Sequence, residues 1–211
     1  MQPVSRSLVG LIFIIAAPAA LAILEVFHPH AHVLLQVDVR TWLVVHYAQI
    51  LLFPLAALAL AMLVREQNSV AAAVCRVSLF VFAVSYIAFD TAAGVVTGIL
   101  VSAGRNSGAI ESWRPAVEAV WTHPIVGGIG SPLLAVLGAI AISVSTVAAA
   151  IAVRRSGASW LPVLLLGLSG FGISTFKTHA WPGGPLTFGA IAIASAWLLL
   201  ERSAHARVPS Q

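Results

Sequence analysis

The chain has 211 residues, 60% hydrophobic and 9% charged, with a mean hydropathy of +0.99. So few charges cannot coat a water-facing surface of this size, which excludes a soluble domain and makes lipid the main solvent. The formal net charge of +4 is spread without a basic face, which excludes nucleic-acid binding and fits attraction to an anionic membrane leaflet.

A hydrocarbon core about 30 Å thick needs about 20 apolar residues per helix. Six runs meet this need, and they predict an all-α integral membrane protein, a bundle of six transmembrane helices in one domain over residues 1–211. The first span is 8–27. Arg6, the apolar core and "AAPAALA" give it some likeness to a signal peptide, but five hydrophobic segments follow and favour a retained span. The second span is 42–64 and the third 77–103, long enough to tilt or protrude. Pro18 and Pro54 predict bends rather than breaks, because lipid forces the backbone to bond internally. In the loop 104–131, "ESWRPAVEAVW" puts Trp113, Val117, Val120 and Trp121 on one face with Glu111 and Glu118 turned away, which predicts a short helix on the outer membrane surface. "HPIVGGIGSP" reads as a flexible turn into the fourth span, with an anion-binding nest as the alternative. The fourth, fifth and sixth spans are 132–153, 159–176 and 185–200. The last two are short, and the "HAWPGGP" between them leaves a re-entrant break open.

With the amino terminus in the cytoplasm, Arg6, Arg65, Arg76, Arg154, Arg155, Arg202 and Arg207 fall inside, against Arg40, Arg105, Arg114 and Lys177 outside. Both termini are therefore predicted cytoplasmic, and the pattern suits a multi-pass protein of a bacterial inner (plasma) membrane. Tryptophans agree: Trp42, Trp113, Trp121 and Trp181 fall at the outer interface, Trp160 and Trp197 at the inner one. The single cysteine, Cys75, supports neither a disulfide nor a dithiol motif and reads as a packing residue.

Polar chemistry gathers on the outer side. His28, His30, His32, His46, His123 and His179 all fall there, with Glu25 and Asp38; only His205 lies in the cytoplasmic tail. Pro29 drives "HPHAH" out of helical geometry, and in an extended strand alternate side chains point the same way about 6.6 Å apart. His28, His30 and His32 could thus converge on one divalent transition metal, joined by His123 or His179, with Glu25 completing or orienting the shell. Interfacial histidines bonded to water and headgroups are the plainer alternative. Trp42, His46, Gln49 and Phe53 recur at steps of four, three and four and share a stripe that must face protein. His46 and Gln49 could hold a cofactor, haem included, or serve an interhelical hydrogen-bond network.

Asp90 lies near the middle of the third span, where a carboxylate needs a partner, a cavity or a proton. Tyr86, Asp90, Gly94, Gly98 and Ser102 follow at steps of four, and the GxxxG pair Gly94 and Gly98 predicts a helix-packing partner or a homo-oligomer. Counted along the helices, Asp90 should lie about 14 Å deeper than His46, too far for one site.

Three functional classes fit. One is a metal- or haem-binding protein, whose catalytic version would act on a lipid or small apolar substrate with Glu25 or Asp38 as base. The second is a proton- or cation-coupled transporter or channel working through Asp90. The third is a non-catalytic accessory subunit docking through Gly94 and Gly98. The first is narrowly preferred, because no acid or histidine continues the polar path into the inner half of the spans.

Overall fold

The computed structural model describes residues 8–30 and 33–205, all of whose regular elements are helical. These are α1 (Leu8–Val26), α2 (Val39–Leu63), α3 (Val70–Phe89), a π-helical segment (Asp90–Val96), α4 (Thr97–Asn106), α5 (Ile110–Trp121), α6 (Leu133–Arg155), α7 (Trp160–Ser169), α8 (Phe171–Phe176) and α9 (Gly183–His205). Arg6, His32 and Arg207 lie outside the described residues.

Five helices are long and apolar enough to cross a membrane: α1, α2, the continuous run Val70–Asn106, α6 and α9. The expected fifth span is shorter, because Trp160–Phe176 breaks at Gly170, where the backbone presses on α6. A Cβ at Gly170 would stand 2.8 Å from the Ile142 carbonyl oxygen. Pro18 and Pro54 both sit inside unbroken helices.

Six of the helices pack around a ring. α1 meets α2, α2 meets α3, α3 meets α6, α6 meets α7, and α7 meets α9, which returns to α1 and closes a ring. Phe53, Phe82, Tyr86 and Phe188 fill its middle, each at most 1% exposed. At one end the helices are joined by the short connections 64–69 and 156–159. There arginines answer the carbonyls that a helix C-terminus leaves unpaired. Arg202 donates to the Leu63 oxygen at 3.3 Å and Arg76 to the Val64 oxygen at 3.4 Å.

The opposite end carries the longer loops and a second, smaller core of Leu35, Val37, Trp42, Val101 and Val117. Arg105 staples it, donating to the Leu35 and Val37 oxygens at 2.8 Å each. The helix expected in the outer loop is α5, but its apolar face is turned to protein: Val117 is buried and Trp121 stands 5.9 Å from Trp42, ring to ring. The glycine turn after it is no nest. The amides of Gly127 and Gly128 donate to the carbonyls of His123 and Trp121.

Two further expectations change. The run Val70–Asn106 covers 37 residues, about 55 Å, which is longer than the hydrocarbon is thick, and its α4 end packs with α5 in the smaller core. Asp90 is consequently not isolated at the midplane: the carbonyl of Gly94, one turn on, accepts a 2.7 Å bond from Trp42 Nε1 in the first turns of α2. The expected depth gap to His46 does not exist. The packing partner of Gly94 and Gly98 is also internal. A Cβ at Gly94 would stand 1.8 Å from the His46 ring and one at Gly98 2.6 Å from Leu43, so α2 fills the GxxxG face and a homo-oligomer there would have to displace it.

Candidate metal centre

Four chain segments meet at the loop-rich end of the ring. Glu25 closes the last turn of α1 and is fully buried. Its Oε1 accepts from Gln49 Nε2 of α2 at 2.9 Å, and its Oε2 has no partner. Just past α1 the chain makes a turn, with the His28 amide donating to the Glu25 backbone carbonyl. His28 Nδ1 then donates to the Pro29 carbonyl at 3.0 Å, which leaves Nε2 a buried, unpartnered lone pair.

The segment between α8 and α9 brings His179, which is 9% exposed. Its Nε2 stands 3.6 Å from Asp90 Oδ1, and its Nδ1 has no partner. Gly184 permits this approach, since a Cβ there would lie 1.7 Å from the His179 oxygen and 2.9 Å from Glu25. Asp90 opens the π-helical segment, a distortion that recurs at functional sites, and neither of its oxygens has a hydrogen-bond partner.

One ligand atom each from Glu25, His28 and His179 lie within 4.8 Å of one another, the one such group among the described residues. Six of the eight buried, unpartnered side-chain polar atoms among the described residues belong to Glu25, His28, Gln49, Asp90 and His179. Since buried polar atoms nearly always find partners, this concentration marks a place built to meet something else. The buried Glu/His cluster has the donor set to bind a metal.

Burial, with His179 and His46 nearby, holds the His28 imidazole well below its ordinary range. Burial and then His46 push His179 down to about 3. Both rings are thus neutral near pH 7, the form that ligates metals.

A cavity of about 410 Å³ lies against the cluster. His28, His46, Asp90, Ser174, Thr178 and His179 are among its polar lining, α6 supplies Ala135, Val136, Ala139 and Ile140, and the exposed His30, Ser131 and Lys177 stand at its rim. The size suits a small molecule. No known family, characterised protein or solved structure matches the chain.

The structure thus brings together Glu25, His28, His46, Gln49, Asp90 and His179 of the residues singled out in the sequence. The stripe of Trp42, His46, Gln49 and Phe53 is buried as its spacing requires. His46 Nδ1 donates to the Trp42 carbonyl at 2.7 Å, and the ring lies 4.9 Å from that of His28. Other residues stay apart. His28 and His30 do not converge: the turn after α1 sends His28 inward and leaves His30 exposed at the cavity rim. His123 is exposed on the loop after α5, where its Nδ1 accepts from the Ile125 amide. Asp38 is the exposed N-cap of α2, held by Arg40 and Thr41, and that Thr41 bond keeps its carboxyl below the usual range. Lys177 also stands at the rim, and being the sole lysine is its only signal in the sequence.

Proposed function

We propose that this protein is an integral membrane metalloprotein that crosses the bilayer six times, with both termini in the cytoplasm and the histidine-bearing end outside, as the arginine bias suggests for a bacterial inner membrane. A transition-metal ion would be held by His28 Nε2, His179 Nδ1 and a Glu25 carboxylate oxygen, a two-histidine, one-carboxylate set. One observation carries this reading. In each ligand the second heteroatom faces an orienting partner, Pro29 for His28, Gln49 for Glu25 and Asp90 for His179, while the first is buried and unpaired. That is the outer shell by which proteins aim metal ligands.

The roles expected from sequence shift accordingly. Glu25 becomes a ligand, and Asp90, whose oxygens accept no hydrogen bond and which lines the cavity, becomes the proton acceptor. An ion held there supplies Lewis-acid activation of a bound water or polar group. Asp90 would accept a proton there, and His46, which also lines the cavity, keeps its Nε2 lone pair because its Nδ1–H is committed to the Trp42 carbonyl. Haem fits less well. The His28 and His179 rings stand 4.9 Å apart, edge to face at 83°, with no slot between them for a planar macrocycle.

The transporter reading meets an obstacle below the site. Phe53 packs on Tyr86, Phe82 and Phe188 at ring separations of 4.7 to 5.8 Å, and this floor offers no polar route to the other end. The test is elemental mass spectrometry of detergent-purified protein. About one ion per chain is expected, lost in Glu25→Gln and His179→Ala and kept in the surface control His123→Ala. Equal metal content in all four proteins would refute the assignment.

A further inference from the structure

We propose that the cavity takes its substrate sideways from the lipid, through a gap between α6 and α8, and that this substrate is a single-chain amphiphile with an anionic head. This deepens the metal-site reading and rests on it for what happens at the head.

Ile140 of α6 and Ser174 of α8 line the cavity, and both are exposed, Ile140 by 55%. A wall made of exposed residues is an opening, and on a membrane span it opens to lipid. The same two residues also line a second void of about 650 Å³ on the outer side of α3, α6 and α8. Cavity and groove therefore share one sill.

Beyond the sill the groove is apolar. Ile140, Val144, Val147 and Ile151 descend α6 at helical spacing, each between 37% and 55% exposed. Eleven residues of rise make this track about 16 Å long. That is close to half the hydrocarbon thickness of about 30 Å, the depth that one acyl chain occupies. The track is flanked by Val74 and Phe171, and its length matches one acyl chain.

The head is identified by charge. Lys177 ends α8 in the left-handed conformation, φ 54°, rare for a residue with a Cβ, and this turn sets the sole lysine on the cavity rim. An anionic head on Lys177 lays the first carbons of the chain across the cavity, against the polar wall, and sends the tail through the sill into the groove. A carboxylate is the simplest anionic head for Lys177, so a long-chain fatty acid is the probe.

The experiment uses the full chain in phosphatidylcholine nanodiscs with palmitic acid carrying a photoreactive diazirine near its methyl end, and maps the crosslinks by mass spectrometry. Crosslinks should concentrate on Val144 to Ile151 and disappear under excess unlabelled palmitate. Ile140→Trp, a larger side chain at a lipid-facing site, should abolish them while metal content stays at the wild-type level. Lys177→Gln should raise the palmitate concentration needed for displacement about tenfold, the loss of one charge-assisted contact, and leave displacement by hexadecanol unchanged. Labelling that palmitate does not displace, or that spreads equally to lipid-facing Leu51, Phe80 and Leu164, overturns the proposal. So does a carboxyl-end diazirine that crosslinks at Arg155, which would mark an ordinary bilayer lipid lying the other way up. Palmitate-displaceable labelling in a protein without metal would refute the metal reading alone; a metal-loaded protein with undisplaceable labelling would refute the portal alone.

Discussion

Gln49 donates from α2 to Glu25 on α1 across 2.9 Å, and both side chains are fully buried. The bond fixes which Glu25 oxygen is used up and which is left to face His28 and His179. Gln49→Leu should keep the packing volume but free the carboxylate to rotate. A chelator-competition titration should show metal affinity falling 10- to 100-fold, the usual effect of removing a partner that orients a ligand. Unchanged affinity would mean that Glu25 is not a ligand.

Asp90 should behave differently from Glu25. Asp90→Asn preserves shape and the contact to His179 but removes the proton acceptor, so metal stoichiometry should stay near the wild-type value. Asp90→Leu also removes the partner that orients His179, and its metal affinity should fall by at least tenfold. A loss of stoichiometry in both variants would make Asp90 itself a ligand.

Gly94→Ala would drive a Cβ into the His46 ring at 1.8 Å, and α2 cannot retreat because Trp42 is tied to the Gly94 carbonyl. Thermal unfolding should report a destabilisation of about 1–3 kcal/mol, the range for overpacking. Gly98→Ala meets the mobile end of Leu43 first, at 2.6 Å, and should lose less. If Gly94→Ala instead altered crosslinked dimer yield at unchanged stability, the GxxxG face would belong to an oligomer.

Acid should destabilise the metal-free protein through its buried imidazoles. His28 and His179 are held neutral in the folded chain, His179 down to about 3, whereas an unfolded histidine titrates near 6.5. Below that value the unfolded state binds more protons, so stability is full above about pH 6.5 and falls as the pH drops toward about 3, by up to about 1.4 kcal/mol per pH unit for His179. Melting temperatures between about pH 7.5 and 5 should therefore decline less in His179→Phe than in the wild type. The same slope in both would remove His179 from the buried cluster.

Orientation is open to a direct check. In a Cys75→Ala background, which removes the one buried thiol, His30→Cys should react with a membrane-impermeant maleimide added outside intact cells, and Ser156→Cys should react only after lysis. The reverse pattern would turn the site toward the cytoplasm.

How much of this was legible beforehand differs from residue to residue. The spacing of Trp42, His46, Gln49 and Phe53 announced a buried stripe, because helical period and intolerance of polar groups in lipid leave no other way to orient it. Asp90 stands out in the sequence because a carboxylate within a span is costly without a partner, a cavity or a proton. Its depth is not legible there, since the apolar run 77–103 gives no sign that the helix begins at Val70 or that its last turns join α5 in a separate small core. "HPHAH" promised three converging rings, but the turn after α1 parts His28 from His30.

The amino-acid order therefore determined the solvent, the helical class, most of the crossings and the crowding of imidazoles at one end, because transfer of side chains into lipid is a local, nearly additive property of each segment. Only the tertiary structure decided that Glu25, His28, Asp90 and His179 are neighbours. Their meeting requires α9 to close the ring against α1, and that closure depends on contacts between positions more than 150 residues apart, which no local pattern encodes.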